Sequence, residues 1–87
     1  MLIKCAPKDA TKIRYEGILF DNWTVDEYGI WVTVCDEHAK LPLSGIRPEG
    51  SGCCDVDGCH ATDEDGKTNC HYVDLDPKKV VYLKEVK

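Results

Sequence analysis

The sequence predicts one small, mainly β domain, a small antiparallel sheet with at most a short helical turn after Cys35. Three observations predict it. Apolar and polar residues alternate with a period of two in several runs, turn-forming residues separate those runs, and no stretch sustains the three-to-four-residue spacing of an amphipathic helix. At 87 residues the chain 1–87 makes a single domain. Folding at that size buries only roughly 60 to 65 per cent of the unfolded surface, so the core is marginal and a staple is expected.

Met1 to Ala6 reads as a short opening strand. In Lys12 to Phe20 (KIRYEGILF), Ile13 and Tyr15 and then Ile18 and Phe20 alternate, and the phase changes at Gly17, which predicts a bulge or bend there. Asp21-Asn22-Trp23 and Asp26-Glu27-Tyr28-Gly29 read as turns. Gly29 to Cys35 (GIWVTVC) is the clearest strand, with Ile30, Val32 and Val34 on one face and Trp31, Thr33 and Cys35 on the other. A helical turn is expected over Asp36 to Leu41, ended by Pro42. Ser44 to Gly52 (SGIRPEGSG) reads as a mobile loop. Cys53 to Cys70 is too poor in apolar residues to bury a core unaided. His71 to Leu75 and Lys79 to Val86 complete the strands, with Asp76-Pro77 as the turn between them.

The formal net charge is −5. That opposes general nucleic-acid binding, in which cationic side chains displace counterions from phosphates. Charge is unevenly spread, however. Residues 55 to 76 carry seven acids against Lys67, whereas residues 1 to 14 carry Lys4, Lys8, Lys12 and Arg14 against Asp9, and the last ten residues carry four lysines against Glu85. If the two ends lie side by side they make a basic face, and Trp23, Tyr15 or Tyr82 would be its stacking residues. A nucleic-acid adaptor built on these terminal strands is therefore the alternative to a protein-interaction module.

Six cysteines and three histidines supply the candidates for a staple. Lys4, Lys8 and Lys12 interrupt every apolar run of the N-terminus, which does not have the pattern of a secretory signal, and no stretch approaches a membrane span. The expected compartment is the reducing cytoplasm, where clustered cysteine is used for metal rather than for disulfides. A disulfide-stabilised exported domain is the alternative.

The spacing then matters. Cys35-Asp36-Glu37-His38 is C-x2-H at the end of a strand, a spacer that lets both donors converge on one ion while the intervening amides turn toward the thiolate. Cys54 to Cys59 is C-x4-C, with Gly58 free to take a positive φ and tighten the loop. Fifteen residues separate the halves. Over residues 31 to 76 this arrangement resembles the paired half-sites of zinc ribbons and zinc knuckles, and departs from their commonest pattern by x4 in the second half and His in the first. The resemblance implies one structural Zn2+ held by Cys35, His38, Cys54 and Cys59. Cys53 competes with Cys54, and Cys70, His71 and His60 could replace part of the set or join Cys53 or Cys5 around a second ion. Cys5, alone beside Pro7, reads as a small packed hydrophobe.

Other chemistry is less well served. Asp55-Val56-Asp57-Gly58 and Asp63-Glu64-Asp65-Gly66 look superficially like calcium loops, but an EF-hand register would start at Cys53 or Ala61, and strands flank them. The vicinal pair Cys53-Cys54 is not the C-x-x-C of thioredoxin-like enzymes. No catalytic motif is found: the H-x-E with P-C-x-x-C signature of zinc deaminases is missing, and a thiolate bound to zinc is not a free nucleophile.

Overall fold

A computed structural model describes the chain apart from Pro42, Ser44, Pro48, Glu49, His60, Lys67 and the side chain of Asp65. Its strands are β1 (Leu2–Lys4), β2 (Lys12–Tyr15), β3 (Ile18–Phe20), β4 (Thr24–Asp26), β5 (Gly29–Cys35), β6 (Cys70–Leu75) and β7 (Val81–Glu85). The helical pieces among the described residues are single 3-10 turns at Pro7–Asp9, His38–Lys40 and Asp63–Asp65. The strands form two antiparallel sheets, ordered β1-β7-β2-β3 and β4-β5-β6. Among these residues no helix is long and apolar enough to cross a membrane.

The period-two pattern places the core. Ile13, Tyr15 and Phe20 from the first sheet meet Ile30, Val32, Val34, Val73 and Leu75 from the second in one buried cluster. Five of these, Ile13, Phe20, Val32, Val34 and Val73, are fully removed from solvent. The buried side chains Cys35 and Cys54 belong to the same cluster, so the proposed ligands sit at one end of the core rather than on an appendage.

Three expectations change. The run 12–20 is not one bent strand but a hairpin. Glu16 (φ 50°) and Gly17 (φ 81°) both take left-handed conformations, and the two-residue turn they form matches the twist of the strands it joins, so Tyr15 faces Ile18. Thr24–Asp26, of which the pattern assigns only Asp26, and that to a turn, is an edge strand against β5, and because all three residues are exposed it has no alternation to betray it. Of the segment 44–52, expected to be a mobile loop, the described residues Gly45 to Arg47 are tied to the outer edge of β6: Arg47 N donates to Tyr72 O (2.7 Å), Asp74 N to Gly45 O (3.2 Å), and Arg47 Nε to Asp74 Oδ2 (2.7 Å). An open strand edge needs partners for its backbone groups, and this short piece supplies them.

The chain ends do lie side by side, β1 beside β7, with the terminal ammonium 2.6 Å from Glu85. The register gathers part of the cations: Lys4 and Lys12 are both opposite Leu83 and Arg14 is opposite Val81, which puts these three on one face of the sheet, whereas Lys84, opposite Ile3, points to the other, and Lys12 is paired with Asp57. Tyr15 is 1% exposed and its hydroxyl accepts from Asp76 N, which removes it from any stacking surface.

Candidate metal centre

The site is built at the end of β5. Cys35 is its last residue, Glu37 takes helical backbone angles, and the 3-10 turn begins at His38, so that His38 Nδ1 comes within 3.3 Å of Cys35 Sγ. The expected turn toward the thiolate is present: the amides of His38 and Glu37 both donate to Cys35 Sγ.

The second half comes from the loop after residue 50. Cys53 and Thr62 form an isolated antiparallel bridge, and Cys54 N donates to Ala61 O (2.8 Å). Adjacent residues of an extended segment point to opposite sides. Cys54 therefore turns inward, 4% exposed, and Cys53 turns to solvent. Cys59 closes the loop, its backbone N–H donating to Val56 O (2.9 Å), and Gly58 holds the expected positive φ, 81°.

Both sheets hold this loop. Asp55 N donates to Thr33 O and Thr33 N to Asp55 Oδ2, each at 2.8 Å, which fixes the loop to β5. Asp21 N donates to Asp55 O (3.0 Å), Asp57 N to Leu19 O (2.9 Å), and Phe20 bridges Val56, which fixes it to β3. The C-x4-C loop is thus a crosspiece between the sheets. The Asp55 clamp carried no signal in the sequence, because only the fold shows that its carboxylate replaces a missing neighbour strand at Thr33.

The consequence is that Cys35, His38, Cys54 and Cys59 converge, their ligand atoms all within 4.8 Å of one another. His38 Nδ1 lies 3.2 Å from Cys54 Sγ as well as 3.3 Å from Cys35 Sγ. The edges of a tetrahedron with zinc-like bond lengths are about 3.5–3.8 Å, so shifts of at most about 1 Å would seat an ion. The cluster could hold a metal ion. None of the six cysteines is in a disulfide.

Electrostatics explain why a cation suits the place. Burial pushes the Cys54 thiol up to about 12, against the amides of Val56 and Cys35 that donate to it. Burial also works against charge at Cys35, but there the amides of His38 and Glu37 and the thiols of Cys54 and Cys59 prevail and hold it below the ordinary thiol value. By itself the cluster carries a favoured thiolate at Cys35 beside a reluctant thiol at Cys54. A dication would balance the further negative charge.

The remaining candidates lie elsewhere. Cys70 is buried and its thiol donates to Gly52 O (3.1 Å). His71 Nε2 is 2.7 Å from Asp36 Oδ1, and that contact, with the amide of Asn69, holds the Asp36 carboxyl below the usual range. Asp36 N in turn donates to Thr68 Oγ1, so this group anchors the turn after β5 to the start of β6. Cys5 stands alone in the strand–turn connection, and His60 lies outside the described residues. Burial holds Asp55 above the ordinary carboxylate value, despite the Thr33 amide it accepts from.

Fold and site define a two-sheet β domain whose crosspiece loop and central strand share a donor set of three thiols and one imidazole. Compared with family models, curated proteins and solved structures, the chain matches none of them.

Proposed function

We propose that this chain is a zinc-stabilised module of the cytoplasm that binds another protein, with one Zn2+ held by Cys35, His38, Cys54 and Cys59. The observation that carries the reading is the convergence of these four donors within 4.8 Å from two segments, each of which is fixed independently by backbone bonds. Zinc is favoured over a calcium-type ion because the donors are sulfur and nitrogen. It is favoured over an iron–sulfur cluster because one donor is an imidazole.

Four protein ligands leave no coordination position for a substrate, which supports a structural rather than a catalytic role. Ligands that belong to the core support it further, since the ion then joins β5 to a loop that itself joins β3. What remains for function is the surface. The edge strand β4 and its turn present Val25 (65% exposed) and Tyr28 (86% exposed), apolar groups suited to a protein partner.

Native mass spectrometry with elemental analysis tests the metal. One zinc per chain is expected, and amide resonances near His38 and Cys59 should move when a chelator removes it. Purified chain without metal, or a spectrum indifferent to chelation, overturns the proposal.

A further inference from the structure

Cys70 is the one buried thiol that the donor set leaves unused, and the sheet places it directly across from a ligand, in register with Cys35. The kind of pairing follows from the hydrogen bonds around it. Thr33 spends both backbone groups on Asp55, and its partner Tyr72 spends its carbonyl on Arg47, so Thr33 and Tyr72 are turned away from each other. Opposed residues in an antiparallel ladder alternate between bonded and non-bonded pairs, and Cys35 with Cys70 lies two residues further along. It is again a non-bonded pair, consistent with the Cys35 amide donating to Cys54 Sγ instead of across the ladder. Such pairs bring Cα atoms to about 4.5 Å with both side chains on one face, inside the range of about 4.4–6.8 Å that a disulfide spans. In the reduced protein Cys35 Sγ turns to His38 and Cys70 Sγ to Gly52 O, so rotation about the two Cα–Cβ bonds is the movement required.

We propose that Cys35 and Cys70 form an oxidisable pair through which peroxide removes a ligand from the metal centre. This rests on the zinc reading for its consequence, though not for the pair itself. The oxidant enters beside the half-buried ligands His38 and Cys59. Cys35 first lets go of the ion, and its freed thiolate attacks one peroxide oxygen: an S–O bond forms, the O–O bond breaks, and hydroxide leaves and takes a proton from solvent. Cys35, now a sulfenic acid, no longer supplies a thiolate to the ion. The Cys70 sulfur then attacks the Cys35 sulfur: the S–S bond forms, the S–O bond breaks, and the departing hydroxide leaves as water with the Cys70 proton. Two thiol sulfurs have lost two electrons, one peroxide has become two waters, and the ion has lost its anchor on β5.

The test treats the zinc-loaded full chain with hydrogen peroxide, follows zinc with a chromogenic chelator, and maps disulfides by peptide mass spectrometry. A mass loss of about 2 Da, a Cys35–Cys70 cross-linked peptide as the first disulfide, and zinc release that keeps pace with it are expected. Cys70→Ala should keep its zinc, lose that peptide and, with its resolving thiol gone, accumulate Cys35 sulfenic acid that a sulfenic-acid-specific probe labels. A first disulfide between Cys54 and Cys59 or between Cys53 and Cys54, or no added sulfenic acid at Cys35 in Cys70→Ala, overturns the pair and leaves the zinc reading intact. If the chain holds no zinc, the zinc reading fails, and the disulfide map of the metal-free chain still decides the pair.

Discussion

The two sheets are stabilised in different ways. In β1-β7-β2-β3 the strands pair along regular ladders, the hairpin turn at Glu16-Gly17 closes one side, and the chain ends lock together through Met1 and Glu85. The second sheet is regular only in its β5–β6 pair. Its flanks are irregular pieces, residues 45–47 along β6 and 53–59 along β5, held by carboxylates, single bridges and the donor cluster. Where ladders suffice, stability is spread over many small contributions. Where they do not, a few groups carry it, and losing one of them should be felt over the whole segment.

The largest expected effect breaks the second region. Cys54→Ala should lose the metal and destabilise the chain by about 5 kcal/mol or more, because metal binding in such sites is folding free energy. Thermal unfolding should show a midpoint lower by about 20 °C or more. Phe20→Ala strikes the first sheet where it touches the crosspiece. A cost of about 4 kcal/mol is expected from the cavity, with the metal stoichiometry by mass spectrometry unchanged. Equal loss of metal in both variants would erase the distinction drawn between the regions.

Metal loading should depend steeply on pH. A thiol with its pKa above the working pH holds a proton in the metal-free protein and none in the loaded one, so affinity rises with pH. For Cys54, at about 12, that slope persists through neutrality. Each displaced proton is worth about 1.4 kcal/mol, a tenfold change, per pH unit. Competition titrations at pH 6, 7 and 8, run against a chelator of known pH dependence, measure it.

Gly17→Ala tests the hairpin alone. Its φ of 81° is strained for any residue with a Cβ, so a loss of about 1 kcal/mol in denaturant unfolding is expected, with metal affinity unmoved. The smallest effect is expected at Asp36. Its carboxyl pKa is lowered by His71 and Asn69, so its contribution is present above the ordinary carboxylate range and fades as pH falls through the lowered value. Asp36→Asn should flatten the acid limb of the stability curve by lowering the neutral value slightly, with the value in strong acid nearly unchanged.

Much of this was legible beforehand. Ile13, Tyr15, Ile30, Val32 and Val34 announced buried faces because strand side chains alternate, and β5 ends where its pattern ends. The donors Cys35 and His38 were legible because two-residue spacing restricts where their ligand atoms can go, and Gly58 because a tight loop needs its φ. The hairpin at Gly17 was misjudged as a bend, since a phase change marks a break without giving its angle. Thr24–Asp26 and residues 45–47 were missed because an exposed or very short strand has no buried face to reveal it.

By itself the sequence determined the local alternatives: which runs could be strands, which residues could turn, and which side chains could donate to an ion. The tertiary structure decided among them. Cys54 faces the cluster and Cys53 does not because a bridge to Thr62 sets the alternation there. Cys70 stands opposite Cys35, outside the donor set, because the register of β5 and β6 puts it there. Both outcomes depend on pairing between segments far apart in the chain, and such pairing is fixed by the shared burial and hydrogen bonding of the whole molecule, which no local spacing contains.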